Sequence, residues 1–223
     1  MIPEEFPCEL VTWQDSYEMA RELAIRVKED CYGPDIVIAI GRGGYVPARV
    51  VCDFLLQDML TSFKMEHWGS AAKEKPEVKV RFPLAVEIRD QKVLVVDDVT
   101  DTGETLQHAI KYLRGLSPRE IRTAVLQHKS GSSRFHPDYF AREEKEWHWI
   151  IYPWAVHEDI VGFCQRILEH EAFTPDQLRE ALFRHYRIHV PLATVNDALD
   201  DLLGSALIGK SGERYGKSLI DTL

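Results

Sequence analysis

The chain has no apolar run approaching the roughly 20 residues that a helix needs to cross a bilayer. Its first residues, MIPEEFPCELVTW, are acidic and lack the basic segment and apolar core of a secretory leader. Both absences point to a cytoplasmic protein. Cysteine is sparse: Cys8, Cys31, Cys52 and Cys164 are widely separated, and no Cys-x-x-Cys spacing occurs. That excludes a zinc ribbon or dithiol redox pair and leaves buried free thiols as the expectation. The nine histidines form no His-Glu-x-x-His pattern, so a metal site built of protein ligands alone is not expected. Basic residues are in the minority, 27 Lys+Arg against 36 Asp+Glu, for a net charge of −9. Broad nucleic-acid binding needs a basic face and is disfavoured. An anionic substrate would need local compensation from loop amides, a few basic side chains and a divalent cation carried in with it.

What is present is ordinary in amount. Hydrophobic residues make up 45% of the 223 and charged residues 28%, enough for one sizeable domain or a domain with an appendage. The apolar spacing of Tyr17, Met19, Ala20, Leu23, Ala24 and Val27 predicts an amphipathic helix over 14–31, ended by Gly33-Pro34. Asp35 to Ile40 reads as a buried strand, followed by Gly41-Arg42-Gly43-Gly44 and a helix from about Val46 to Leu56. Met59 to Glu66 reads as another strand. Residues 67–81 are polar, charged and without evident period, and read as a long loop or short hairpin. A helix over Glu104 to Leu116 and a strand over Glu120 to Gln127 complete an alternation. Strands alternating with helices predict an α/β fold with a parallel sheet flanked by helices.

The centre of the chain is VLVVDDVTDTGET, residues 93–105. Four branched aliphatics suit a central strand, apolar on both faces. Asp97 and Asp98 arrive at its carboxyl end, where open α/β sheets bind ligands. Thr100 to Thr105 then brings hydroxyls, a glycine and the free amides of a helix start, a combination that holds phosphate. Acids that merely cap a helix are the bland alternative, but capping needs only one of them.

This stretch resembles the 5-phosphoribosyl 1-diphosphate (PRPP) motif of type I phosphoribosyltransferases, and the resemblance extends over about residues 14–157. It implies that Arg42, Gly43 and Gly44 form the diphosphate loop, with a cis peptide between Gly41 and Arg42. It implies that Lys64 reaches the diphosphate, although a solvated lysine is the plain alternative, and that a loop over 67–81 closes on the reaction centre. Asp97 and Asp98 would hold the ribose hydroxyls, directly or through Mg²⁺. Thr100, Thr102, Gly103, Glu104 and Thr105 would line the 5′-phosphate. Asp101 would be the general base, or else an acid that only stabilises its turn. Trp147 to Trp154 packs three tryptophans into eight residues. Alone this reads as a core or interface strand. Beside the motif it is similar to the purine-binding hood of the xanthine/guanine branch, with Trp149 stacking on the base and backbone near Ile150 at its C2 edge. Lys129, directly after a strand, would donate to the exocyclic O6 and select 6-oxopurines over adenine or a pyrimidine. The implied activity is Mg²⁺-dependent phosphoribosyl transfer to hypoxanthine, guanine or xanthine in purine salvage, by a homo-oligomer, most simply a dimer. Which base is preferred stays open.

The tail lies outside the resemblance, so the domains are expected at 1–157 and 158–223. Helices over Ile160–Glu169, Pro175–His185 and Pro191–Leu203, then a hairpin around Ser211-Gly212, have the order of a winged helix. The tail holds 11 Asp+Glu against 7 Lys+Arg, and its third helix carries Asp197, Asp200 and Asp201. Such a face repels phosphate, favouring a protein-contact role. A PRPP-sensing transcription regulator remains the alternative from another class.

Overall fold

The computed structural model describes residues 5–68 and 74–217. It forms two compact units. Of the described residues, one comprises Trp13–His67 and Glu74–Trp147, and the other holds 5–12, Trp68 and 148–217.

The larger unit is a six-stranded sheet. Its strands are β2 (Ile36–Gly41), β3 (Leu60–Trp68), β4 (Glu74–Phe82), β5 (Lys92–Thr100), β6 (Glu120–Lys129) and β7 (Tyr139–Glu144), in the order β4-β3-β2-β5-β6-β7. β2 pairs parallel with β3 and β5, β5 with β6, and β6 with β7. The helices are α1 (Trp13–Glu29), α2 (Tyr45–Leu55) and α3 (Glu104–Arg114). Ile36, Ile38 and Ile40 pack with Val93 and Val95 against Leu106, Ala109 and Leu113 of α3. Side chains alternate across a strand. Val37, Ala39, Leu94 and Val96, equally buried, therefore face the other side, where α1 and α2 lie. Apolar residues on both faces account for the unbroken hydrophobic runs of β2 and β5.

Three points bear on the sequence expectation here. Residues 67–81, expected as a loop or a short hairpin, are largely strand, as the second of these requires: β3 runs to Trp68 and its sheet neighbour β4 starts at Glu74. The signal is in the sequence, since Val78, Val80 and Phe82 alternate with Glu77, Lys79 and Arg81. The remainder of the expected closing loop, 69–73, lies outside the described residues. β7 was not foreseen, because its run ends in charges. Tyr139 and Ala141 are its buried residues, and Arg142 and Glu143 are exposed, as fits an edge strand. Lastly, Cys52 and Cys164 are buried free thiols as expected, whereas Cys31 is exposed at a left-handed turn with φ 53°.

The smaller unit holds β1 (Cys8–Leu10), β8 (Trp149–Ile151), α4 (Val156–Leu168), α5 (Pro175–Tyr186), α6 (Leu192–Gly204), and the antiparallel pair β9 (Ile208–Ser211) and β10 (Arg214–Lys217). β1 pairs parallel with β8. Phe6 lies against Phe163 and Tyr186, whose rings stack at 4.2 Å. These contacts draw the start of the chain and the aromatic strand into the C-terminal unit, so compactness divides the chain at 147/148. Thr174 and Gln177 close a capping box at the start of α5. Phe173 and Tyr215 exchange backbone hydrogen bonds of 2.9 and 2.8 Å, adding a short third strand position beside the hairpin. Among the described residues no helix is long and apolar enough to cross a membrane.

Candidate active site

Two βα turns of the larger unit stand side by side because β2 and β5 are sheet neighbours. The first follows β2. The Gly41–Arg42 peptide is cis, as the resemblance implied, and the chain turns at once into α2 with Gly44 as N-cap. Backbone enforces glycine at position 44, and side chains crowd the other two. A Cβ at Gly43 would run into the Asp98 carboxylate, one at Gly44 into the Val96 carbonyl, and one at Gly41 would come 2.5 Å from the Tyr45 hydroxyl. The first turn and the acids at the end of β5 are thus in direct contact. Lys64 stands opposite Gly41 in the β2–β3 register, with its ammonium 5.6 Å from the Phe82 ring centre. Arg42 is exposed beside the same turn.

The second turn follows β5. Asp97 is 8% exposed, and its Oδ1 accepts the Asp98 amide at 3.0 Å. Burial, and then the neighbouring Asp98 charge, push the Asp97 carboxyl well above the usual carboxylate range. Gly103 sits at φ 85° as the N-cap of α3, and the Thr102 hydroxyl accepts the Glu104 amide at 3.4 Å. Only glycine fits there, since a Cβ would lie 2.5 Å from that of Phe135 in a backbone region side chains avoid. A glycine N-cap supplies no side chain of its own to the first helical amides. This leaves a helix start of the kind that binds phosphate. The Thr100 residue is 1% exposed, and its hydroxyl has no hydrogen-bond partner among the described residues.

Asp97 and Asp98 also pass a chemical test for Mg²⁺. Among the described residues no group of three or more His, Cys, Asp or Glu could hold a metal. Mg²⁺ does not ask for one. It takes oxygen ligands, commonly one or two carboxylates completed by water and substrate phosphates. A cation beside the pair would favour the charged carboxylate that burial, and then the Asp98 charge, oppose.

Asp101 is held by several side chains of the same unit. Lys129 Nζ donates to its Oδ2 at 2.8 Å, with side-chain exposures of 3% for Lys129 and 11% for Asp101. The Trp147 indole donates to the same oxygen at 3.3 Å. The Ser132 hydroxyl lies 3.1 Å from Oδ1 and 3.2 Å from the Asp101 backbone oxygen. A salt bridge this buried requires good geometry and further hydrogen bonds to offset the desolvation of both charges. The structure therefore brings together Arg42, Gly43, Gly44, Lys64, Asp97, Asp98, Thr100 to Thr105 and Lys129 on one unit. Trp149 and Ile150 belong to the other unit. There Trp149 Nε1 donates to the buried Asp159 at 3.2 Å, and the Trp149 amide donates to Pro7. Ser132, Trp147 and Asp159 were not singled out from sequence. No spacing rule links residues 101, 132 and 147, and only the tryptophan-rich run hinted at one of them.

A model of the phosphoribosyl transferase domain matches residues 9–160. The chain belongs to that family. Xanthine-guanine phosphoribosyltransferase of Cereibacter sphaeroides is 33% identical over 150 residues, covering 65% of this chain and 84% of that protein. Hypoxanthine-guanine phosphoribosyltransferase of Saccharomyces cerevisiae is 25% identical over 212 residues, covering 75% and 95%. The crystal structure of purine phosphoribosyltransferase from Pyrococcus horikoshii is 29% identical, with a TM-score of 0.56 over 66% of this chain and 93% of that one. The type I, 6-oxopurine phosphoribosyltransferase resemblance read from residues 93–105 and 129–154 is borne out. The matched region ends within α4, so α5, α6 and the hairpin are additional to the family domain.

Proposed function

We propose that this family member transfers 5-phosphoribosyl from PRPP to N9 of a 6-oxopurine, releasing pyrophosphate, in purine salvage and with Mg²⁺. The observation that carries this reading is the buried Lys129–Asp101 pair. On a 6-oxopurine, O6 is an acceptor and N7–H a donor, on neighbouring atoms of one edge. Lys129 donates to O6 and Asp101 accepts from N7, so the base replaces each member's contact with the other. Adenine presents an amine in place of O6, leaving a buried ammonium facing a donor.

In the reaction the N9 lone pair attacks C1′ of the ribose while the C1′–O bond breaks and its electrons leave with the diphosphate. The N7 proton passes to the Asp101 carboxylate. Arg42, Lys64 and the amides of Gly43 and Gly44 bind the departing diphosphate. Asp97 and Asp98 would hold the ribose hydroxyls, directly or through Mg²⁺. Thr102, Gly103, Glu104 and Thr105 grip the 5′-phosphate at the start of α3, with Thr100 behind them. Mg²⁺, when bound, neutralises charge on the diphosphate. Trp149 stacks on the base and the backbone at Ile150 meets its C2 edge, roles that rest on the family resemblance. The protein acts in the cytoplasm as a homo-oligomer, residues 1–157 carrying catalysis and 158–223 forming an accessory module like a winged helix.

The order of α4, α5, α6 and the hairpin also supports a second reading, a PRPP-sensing regulator that reads DNA. Asp197, Asp200 and Asp201 are exposed on α6, the helix such a module would offer to the groove, and they oppose it. The decisive experiment measures pyrophosphate release from PRPP and Mg²⁺ with each base in turn, beside a gel shift with and without PRPP. Release with a 6-oxopurine supports the enzyme. A PRPP-dependent shift without release supports the regulator.

A further inference from the structure

The three tryptophans between residues 147 and 154 make different contacts. Trp149 is assigned to the base, and Trp154 stacks on Tyr152 with ring centres 4.9 Å apart. Trp147 is different, because one indole touches both members of the buried ion pair. Its Nε1–H donates to Asp101 Oδ2 at 3.3 Å, and its ring lies 5.1 Å from the Lys129 ammonium. We propose that Trp147, with Ser132, is a positioning residue that holds Asp101 and Lys129 in place when the base separates them.

This rests on the phosphoribosyl-transfer reading and adds a requirement to it. Before the base arrives, the 2.8 Å contact between Lys129 and Asp101 satisfies both charges. Once O6 takes the ammonium, the carboxylate exchanges its charged donor for the neutral N7–H of the base, a weaker hydrogen bond inside a buried site. The indole N–H still occupies Oδ2 and the Ser132 hydroxyl still reaches Oδ1, 3.1 Å away. The carboxylate therefore keeps its orientation towards N7 instead of turning to find another partner. The ammonium keeps the indole face, an attraction that strengthens where water is excluded. The N–H thus serves the proton transfer, and the ring face serves base binding.

The two functions separate in the variants Trp147→Phe and Trp147→Leu of the full chain. Phenylalanine keeps a ring face and removes the donor. Leucine removes both. The assay is pyrophosphate release with saturating Mg²⁺, read as kcat and as KM for PRPP and for the base. W147F should lower kcat about tenfold, the scale of one hydrogen bond to a charged group, with both KM values within about twofold of native. W147L should lower kcat similarly and also raise the base KM about fivefold. Ser132→Ala, at an exposed position, should lower kcat by a smaller factor at an unchanged thermal midpoint. Native kcat in W147F, or a kcat loss matched by a rising PRPP KM and a falling thermal midpoint, overturns the inference alone. If the native chain releases no pyrophosphate with any 6-oxopurine, the functional reading falls and the inference with it.

Discussion

Lysine 129 offers a perturbation whose sign depends on geometry. Lys129→Met keeps the stem and removes the charge, stranding the Asp101 carboxylate at 11% side-chain exposure. Breaking a buried pair by removing one partner typically costs about 3–5 kcal/mol. Here Trp147 and Ser132 still donate to the carboxylate, at 3.3 and 3.1 Å, so the expected loss is at or just below the low end of that range, about 2–3 kcal/mol. For a chain of this length that corresponds to roughly 4–12 °C in thermal midpoint. The double variant Lys129→Met/Asp101→Asn strands no charge. It should therefore be more stable than Lys129→Met alone, although it carries one substitution more. Thermal unfolding of native, both single and double variants, followed by circular dichroism, completes the cycle. The same Lys129→Met protein should lose about 10–100-fold in kcat/KM for a 6-oxopurine. A double variant less stable than Lys129→Met by the full cost of Asp101→Asn would show that the two groups act independently and refute the buried-pair reasoning.

Further expectations concern the two turns. Asp101→Asn should lower kcat by about 100-fold or more while the PRPP KM changes less than about threefold, as measured in steady state. Equal losses in both would reduce Asp101 to a loop residue. Gly43→Ala places a methyl group in the Asp98 carboxylate, so PRPP binding measured by calorimetry should weaken by about tenfold or more; native affinity would mean that the two turns are not in contact. Asp97, whose folded-state carboxyl is pushed upward by burial and by Asp98, should give stability that is full below the ordinary aspartate range and declines as pH rises through the raised value. In metal-free buffer Asp97→Asn should consequently be more stable than native at neutral pH and should flatten that decline, while losing activity. A variant less stable than native at neutral pH would contradict the assigned burial cost. The full chain should give no salt-sensitive gel shift with duplex DNA, with or without PRPP, because α6 is acidic.

Much of the fold is written locally. The apolar runs of β2 and β5, the helix periods of α1 and α3, and the glycine turns between them each follow from short-range pattern. So does the presence of acids and a phosphate loop at one strand end. What escaped is non-local or ambiguous in period. β4 alternates with charged residues on a sheet edge, so its pattern leaves loop and hairpin both open. β7 ends in Arg142, Glu143 and Glu144, which suggest solvent until the edge position is known. The pairing of β1 with β8 joins residues 8–10 to 149–151, and no local signal predicts it. Trp147 and Ser132 illustrate the same limit within the site. Their chemistry is visible from residue type, but their common target, Asp101, is set by the parallel register of β5 and β6 and the loop that follows Lys129.

The central claim is that this site exchanges a diphosphate for a 6-oxopurine at C1′ of a phosphoribose. Its most direct measurement incubates the full chain with PRPP and Mg²⁺ and quantifies pyrophosphate and nucleoside monophosphate for hypoxanthine, guanine, xanthine, adenine and orotate. The account predicts the two products in equal amounts with at least one of the first three bases and neither product with adenine or orotate. Turnover with adenine, or no pyrophosphate with any 6-oxopurine, would contradict it.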